Sequence, residues 1–263
     1  MLRSLLAAAA LAALAMPTAH AASVAGTTLS DFRVTLLDLA PGDGVASSIT
    51  FDPDSRSTAQ GGPALVGGEQ QGDSPFGAVS AGGSLGGTGG GAFFEGDAFG
   101  DGATITAVAF ANSSPGSGSA AALVDTPSGV NGFVLSPRTQ VTFAGMAETD
   151  WAAGDSRGIA EGEVQLQFSQ LIDGNAVVLA ADDFVAGRGR VRGATENGAT
   201  SRPVTITFAN TTDAAATLDY VLLVQSDASE GEGPVSPVDE PLGAWLLLAG
   251  ALPLAWTARR RAD

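Results

Sequence analysis

A chain of 263 residues that sets 28 Asp and Glu against 12 Lys and Arg carries a net charge of −16. Such a surface repels nucleic acid and anionic lipid headgroups, so neither is a partner the composition supports. The chain has no Cys and no Lys, and its one His is His20. Beyond that position covalent catalysis through thiolate, imidazole or amine is excluded, and so is a typical zinc ligand set.

Met1-Leu2-Arg3 gives a positive start, Leu5–Met16 is apolar, and Ala19-His20-Ala21 is a small-x-small cleavage site. This predicts a signal peptide over 1–21, cut after Ala21, in preference to a buried N-terminal helix. Between Ala22 and Pro241 there are 220 residues, with 8 Arg against 27 Asp and Glu for a net of −19. That length holds one domain with a real core, placed at 22–233, and without Cys only packing can hold it.

In Leu29–Leu39, Phe32, Val34 and Leu36 alternate with Arg33 and Thr35, the period of a half-buried strand. Pro41-Gly42-Asp43-Gly44 turns the chain, and Ser47–Phe51 returns as a short strand. From Asp52 to Gly102 glycine pairs and a triplet break every periodic pattern. The stretch 52–102 reads as a flexible insertion with one or two weak strands around Ala92–Phe94. It holds no G-x-x-x-x-G-K-[ST] phosphate loop and no run of calcium-binding nonapeptides.

Strand signals then resume. Thr104–Phe110 alternates, Asn112–Ser119 reads as a loop, and Asn131–Leu135 and Thr139–Gly145 flank Ser136-Pro137, with Val141 and Phe143 inward. Asp150–Gly158 reads as an acidic loop. In Glu161–Ser169, Val164, Leu166 and Phe168 alternate with Gln165, Gln167 and Ser169, and Asp173-Gly174-Asn175 predicts a hairpin turn. Val204, Ile206 and Phe208 mark one further strand, and Leu218, Tyr220, Leu222 and Val224 the last long one. Many strands, regular turns and no 3.6-residue period point to an all-β antiparallel sandwich, jelly-roll-like, with a Gly-rich insertion.

Carboxylates are the one chemistry the composition leaves. Asp52, Asp54, Asp97, Asp101, Asp182 and Asp183 fall in pairs that loops could join around calcium, but none has EF-hand spacing, and solvated loop acids are the preferred reading. Glu161 and Glu163 share a strand face, a spacing glycosidases use. Trp151 and the single Tyr, Tyr220, offer a sugar little stacking surface, so a solvated face is preferred and no catalytic residue is assigned. Arg188, Arg190 and Arg192 alternate along G-R-G-R-V-R, which reads as an anion contact or, preferably, as ion pairing or a guarded sheet edge. No resident cofactor or metal is assigned.

The tail is built in three parts over 234–263. Val238-Asp239-Glu240-Pro241 is a Pro/acidic turn, Leu242–Thr257 is an uncharged apolar run, and Arg259, Arg260 and Arg261 follow. Sixteen residues of helix rise about 24 Å, short of the ~30 Å hydrocarbon core. Trp245 and Trp256 sit near the ends of the run, where indoles favour the headgroup region, and the arginines act as a stop-transfer signal. Pro253 interrupts the run. These features suit a temporary transmembrane stop and a plain C-terminal anchor equally.

The order of parts resembles the PEP-CTERM sorting signal of Gram-negative bacteria. There a Pro-Glu-Pro motif precedes a short transmembrane helix and an Arg cluster, and an exosortase processes the protein. Glu240-Pro241 matches the motif, while Asp239 stands where its first proline would be, a variant V-D-E-P. Leu29–Leu39 with Pro41–Gly44, Leu135–Phe143 and Pro203–Asn210 also look like phrases from the extracellular domains that carry such tails. The resemblance implies transient inner-membrane insertion, an exosortase-type partner, and delivery to the cell surface or biofilm matrix beside exopolysaccharide. The role expected is non-enzymatic, structural or adhesive. The alternatives are an exopolysaccharide-binding module, a plain membrane-anchored surface protein or, third, a carboxylate-dependent hydrolase.

Overall fold

The computed structural model describes residues 23–63, 68–85, 88–111, 116–125, 132–153, 158–173, 175–188 and 197–230. Within them the chain is all-β, as predicted. The strands are β1 (Ser23–Asp38), β2 (Ile49–Phe51), β3 (Arg56–Gly62), β4 (Gly68–Gln71), β5 (Val79–Leu85), β6 (Thr88–Asp97) and β7 (Gly102–Ala111). They continue with β8 (Gly116–Asp125), β9 (Phe133–Leu135), β10 (Thr139–Ala152), β11 (Ile159–Ile172), β12 (Asn175–Arg188), β13 (Asn197–Asn210) and β14 (Ala216–Glu230). Two antiparallel sheets result, ordered β13-β10-β1-β7-β6-β5 and β12-β11-β14-β8-β3-β4, with β9 and β2 added beside β14. The chain changes sheet between β1 and β2, β4 and β5, β7 and β8, β9 and β10, β10 and β11, β12 and β13, and β13 and β14, the crossing habit of a sandwich. The leader over 1–21 and the tail over 234–263 lie outside the described residues. Among the described residues no helix is long and apolar enough to cross a membrane.

β1 runs through the middle of its sheet, between β7 and β10. Leu29 and Phe32 are both fully buried although three residues apart, which a strict period of two forbids. A bulge reconciles them. Asp31 adopts φ 51°, and the register shifts there against both neighbouring strands. Beyond it Phe32 and Val34 face inward and Arg33 and Thr35 outward, as the alternation predicts.

The interior has two unlike halves. One is aromatic and centres on Phe143, which bridges the sheets by meeting Phe168 edge-on at 4.8 Å and Phe32 at 5.7 Å. Tyr220 and Phe133 close the same cluster. Offset and edge-on pairs of this kind each contribute about 0.5–1.5 kcal/mol beyond the area they bury. The other half is built from Gly, Ala, Ser and Thr. There Ser226 Oγ donates to Ala107 O at 2.9 Å and shares a hydrogen bond with Thr27 Oγ1 at 2.9 Å, and Thr149 Oγ1 lies 3.2 Å from Thr27 Oγ1, which keeps buried hydroxyls paired.

The glycine-dense stretch 52–102 departs most from its expectation. It is no flexible insertion: it supplies β3, β4, β5 and β6, and so builds one end of both sheets. The reason is close approach. A Cβ on Gly61 of β3 would stand 2.5 Å from Gly90 O of β6, and one on Gly118 of β8 would overlap the carbonyl oxygens of Gly89 and Phe110. The two sheets meet backbone to backbone, so only residues without a Cβ fit. Two further loops are corrected: Gly116–Ser119 belongs to β8 rather than to a loop over 112–119, and β10 continues through Asp150 to Ala152.

Gly118→Ala should therefore destabilise the domain by about 2 kcal/mol or more, because the added methyl meets hydrogen-bonded backbone that cannot move aside. Gly26→Ala, whose Cβ would find Val108 Cγ2 at 3.9 Å, should change stability by less than about 1 kcal/mol. Chemical denaturation of both variants beside the parent checks the contrast, and equal losses would refute the close-approach account.

Candidate functional site

Three of the carboxylates nominated from sequence, Asp52, Asp97 and Asp182, serve as structural acceptors. Asp52 Oδ1 accepts from Asp54 N at 2.8 Å, and Asp97 Oδ1 from Phe99 N at 2.9 Å, each closing its own turn. Asp54 and Asp101 are exposed. Among the described residues no three His, Cys, Asp or Glu side chains converge as a metal site would require. Glu161 and Glu163 lie on β11 as expected, but the solvated face does not hold for Glu163, which is only 8% exposed. β11 lies between β12 and β14, and Gln165 beside Glu163 is buried as well. Register sets Glu161 opposite Asp227 of β14, and Glu163 opposite Gln225. Arg188 ends β12 level with Ala160, while Arg190 and Arg192 lie outside the described residues, as do Ala19, Ala21 and the whole tail motif.

The charged cluster the structure does assemble is at the seam where β12, the last strand of one sheet, meets β13, the last of the other. Arg202 Nη2 of β13 reaches Asp182 Oδ1 of β12 at 2.8 Å, and the backbone N–H of Thr205 donates to Asp182 Oδ2 at 2.8 Å. Arg202 also donates to Asp183 O and lies 5.7 Å from the centre of the Phe184 ring. One aspartate thus binds a guanidinium and the open edge of the opposite sheet.

The two neighbouring carboxyls are pushed apart. Burial acts to raise Asp182, but the Arg202 hydrogen bond, the Thr205 N–H and the Arg202 charge together outweigh it and hold it below the ordinary carboxylate value. Asp183 is raised, first by burial and then by the charge of Asp182, with Arg202 opposing. Asp219, at the start of β14, is raised by burial against a hydrogen bond from its neighbour's N–H.

Beyond the seam the β11–β12 hairpin projects. Asp173, at φ 52°, opens the predicted Asp-Gly turn, and Ile172 pairs with Asn175 across it. A register shift between Phe168 and Ser169 separates the projecting part from the part packed in the sandwich. In that projection Leu171 is 56% exposed and Val178 54%, and Ile172, Val177 and Leu179 are exposed too. Every residue of Asn175–Leu179 is exposed, so neither face of this segment is covered. Sequence reading found the turn and missed the arm. The available signal was the run Ala176-Val-Val-Leu-Ala-Ala181, apolar at odd and even positions alike, which cannot be sorted into an inside and an outside.

No protein-family model, curated protein or solved structure matches this chain.

The pKa directions set opposite pH behaviours at these carboxyls. With its folded value depressed, Asp182 contributes stability above the ordinary carboxylate range, lost as pH falls through the folded value. Asp182→Ala should cost about 1–2 kcal/mol near neutrality and converge with the parent in acid. Asp219, with its folded value raised, is a cost at neutral pH that protonation relieves. Asp219→Asn should melt above the parent at pH 7 and lose that advantage as pH falls through the carboxylate range. Thermal melts from pH 3 to 7 read both, and parallel curves for either variant would contradict the assignment.

Proposed function

We infer that the chain is an exported, non-enzymatic protein of the cell surface or extracellular matrix, with a structural or adhesive role. The observation that carries this reading is the three-part tail: Val238–Pro241, the apolar run Leu242–Thr257, and Arg259–Arg261, in one chain with an N-terminal export signal. An exosortase-type enzyme of a Gram-negative bacterium is the partner such a tail meets, after transient insertion in the inner membrane. Exopolysaccharide is the matrix component it would accompany.

The fold supports the reading in two ways. A jelly-roll-like sandwich packed without disulfides suits export of a chain with no Cys. Both described ends also lie side by side. Ser23 Oγ of β1 donates to Glu230 Oε1 of β14 at 2.6 Å, in a buried contact that ties the first strand to the last. The described chain therefore begins and ends at the same end of the domain.

Intact mass of the protein recovered separately from membranes and from culture matrix tests the proposal. A matrix form ending near Pro241 is expected. A membrane form retaining Arg259–Arg261, with none in the matrix, would show the tail to be a plain anchor and would end the sorting reading.

A further inference from the structure

We propose that the outer edge of β12, over Asn175–Ala181, is a self-association edge on which a second copy of this chain adds its own β12 in antiparallel pairing. A terminal strand presents unpaired N–H and C=O groups, and these recognise another extended strand. Besides the three-residue β2, four strands end the two sheets among the described residues, and three of them are guarded. β13 carries Pro203, and its Thr205 N–H already donates to Asp182. β4 is four residues long and includes Glu69. β5 is covered by β4, close enough that a Cβ on Gly68 would stand 2.9 Å from Gly82 O. From Asn175 to Ala181 β12 has no proline, no charge and no strand over it among the described residues, and its one irregularity is the bulge at Leu179.

Charge selects the occupant. From Val164 to Ala181 the hairpin carries a single charge, Asp173, in a chain of net −16. Two copies repel one another over most of their surfaces, and this arm is where they can approach without setting carboxylates face to face. The segment is also its own complement. Antiparallel pairing about Val178 sets Val177 against Leu179 and Ala176 against Ala180, apolar on apolar, in the isologous contact of a twofold dimer. The inference rests on this strand edge and not on the sorting tail.

The test is sedimentation velocity of the full chain across a concentration series. A reversible dimer is expected, with a dissociation constant on the order of 10 µM for so small an interface. It should tighten as salt is raised, because screening weakens the repulsion between the acidic bodies. Val178→Lys should weaken it at least about tenfold by placing like charges opposite each other at the twofold. Leu85→Lys, at the still more exposed tip of β5, should leave it unchanged. A chain that stays monomeric to about 1 mM would overturn the proposal. So would a dimer that persists unchanged in Val178→Lys, since it would be held elsewhere, the apolar tail included. If Val178→Lys loses its β-sheet circular dichroism, single cysteines decide, because the parent has none. Val178→Cys should cross-link on oxidation, as paired Cα atoms about 4.5–5.5 Å apart permit, and Leu85→Cys should not. Failure of Val178→Cys to cross-link would then overturn the pairing.

Discussion

Everything in this sandwich depends on how closely its two sheets approach at the glycine end. Stacked sheets ordinarily lie about 10 Å apart, with interdigitated side chains between them. Along β3, β6 and β8 the spacer is missing: Gly61 faces Gly90, Gly90 faces Ser119 O, and Gly118 faces Gly89 and Phe110. At the other end the ring of Phe143 sits between the layers against Phe168 and Phe32. The two halves therefore differ in what fills the space between the layers, and the bulge in β1 lies between them. Register there is set by steric exclusion as well as by apolar burial, since a slip of one residue would bring a side chain where only hydrogen fits.

That division explains which parts of the fold were legible in the sequence. Val141 and Phe143, Val164 to Phe168, Val204 to Phe208 and Leu218 to Val224 were readable because large apolar side chains alternate with polar ones. The first six residues of β1, all of β3 to β5, and β8 were not. Their inward positions are held by small residues, among them Ser23, Ala25, Thr27, Ser57, Ala59, Ala120 and Ala122, so inside and outside barely differ in hydropathy. Glycine usually marks freedom of the backbone, and here it marks contact. Spacing alone cannot separate the two, because the deciding fact is the strand that lies above.

The site residues follow the same logic. Asp52 and Asp97 were visible as acids, but whether a loop acid holds an ion or closes its own turn is settled by backbone two residues on. Asp182 and Arg202 are 20 residues apart and sit on strands of different sheets, so only the topology makes them partners. Their pairing is more than an ion pair, because Asp182 also accepts the Thr205 N–H that would otherwise stand open at the edge of β13. An edge closed by a carboxylate from the opposite sheet is both satisfied and occupied by an ion pair, which discourages a further strand.

The guarded edge and the bare one lie on adjacent strands, and the contrast follows from where the chain's ends are. Ser23 and Glu230 meet at the small-residue end, whereas β11 pairs its Ser169 with Asp219 near the opposite end and then continues into the hairpin. Ten residues of β14 separate Asp219 from Ser229, which sets the arm roughly 33 Å from the end where Ser23 and Glu230 meet. Antiparallel pairing of two such arms would carry the two Ser23–Glu230 ends to opposite ends of the pair. An exposed uncharged edge in a strongly acidic chain is then a directed contact, with the rest of the charge keeping every other approach unfavourable.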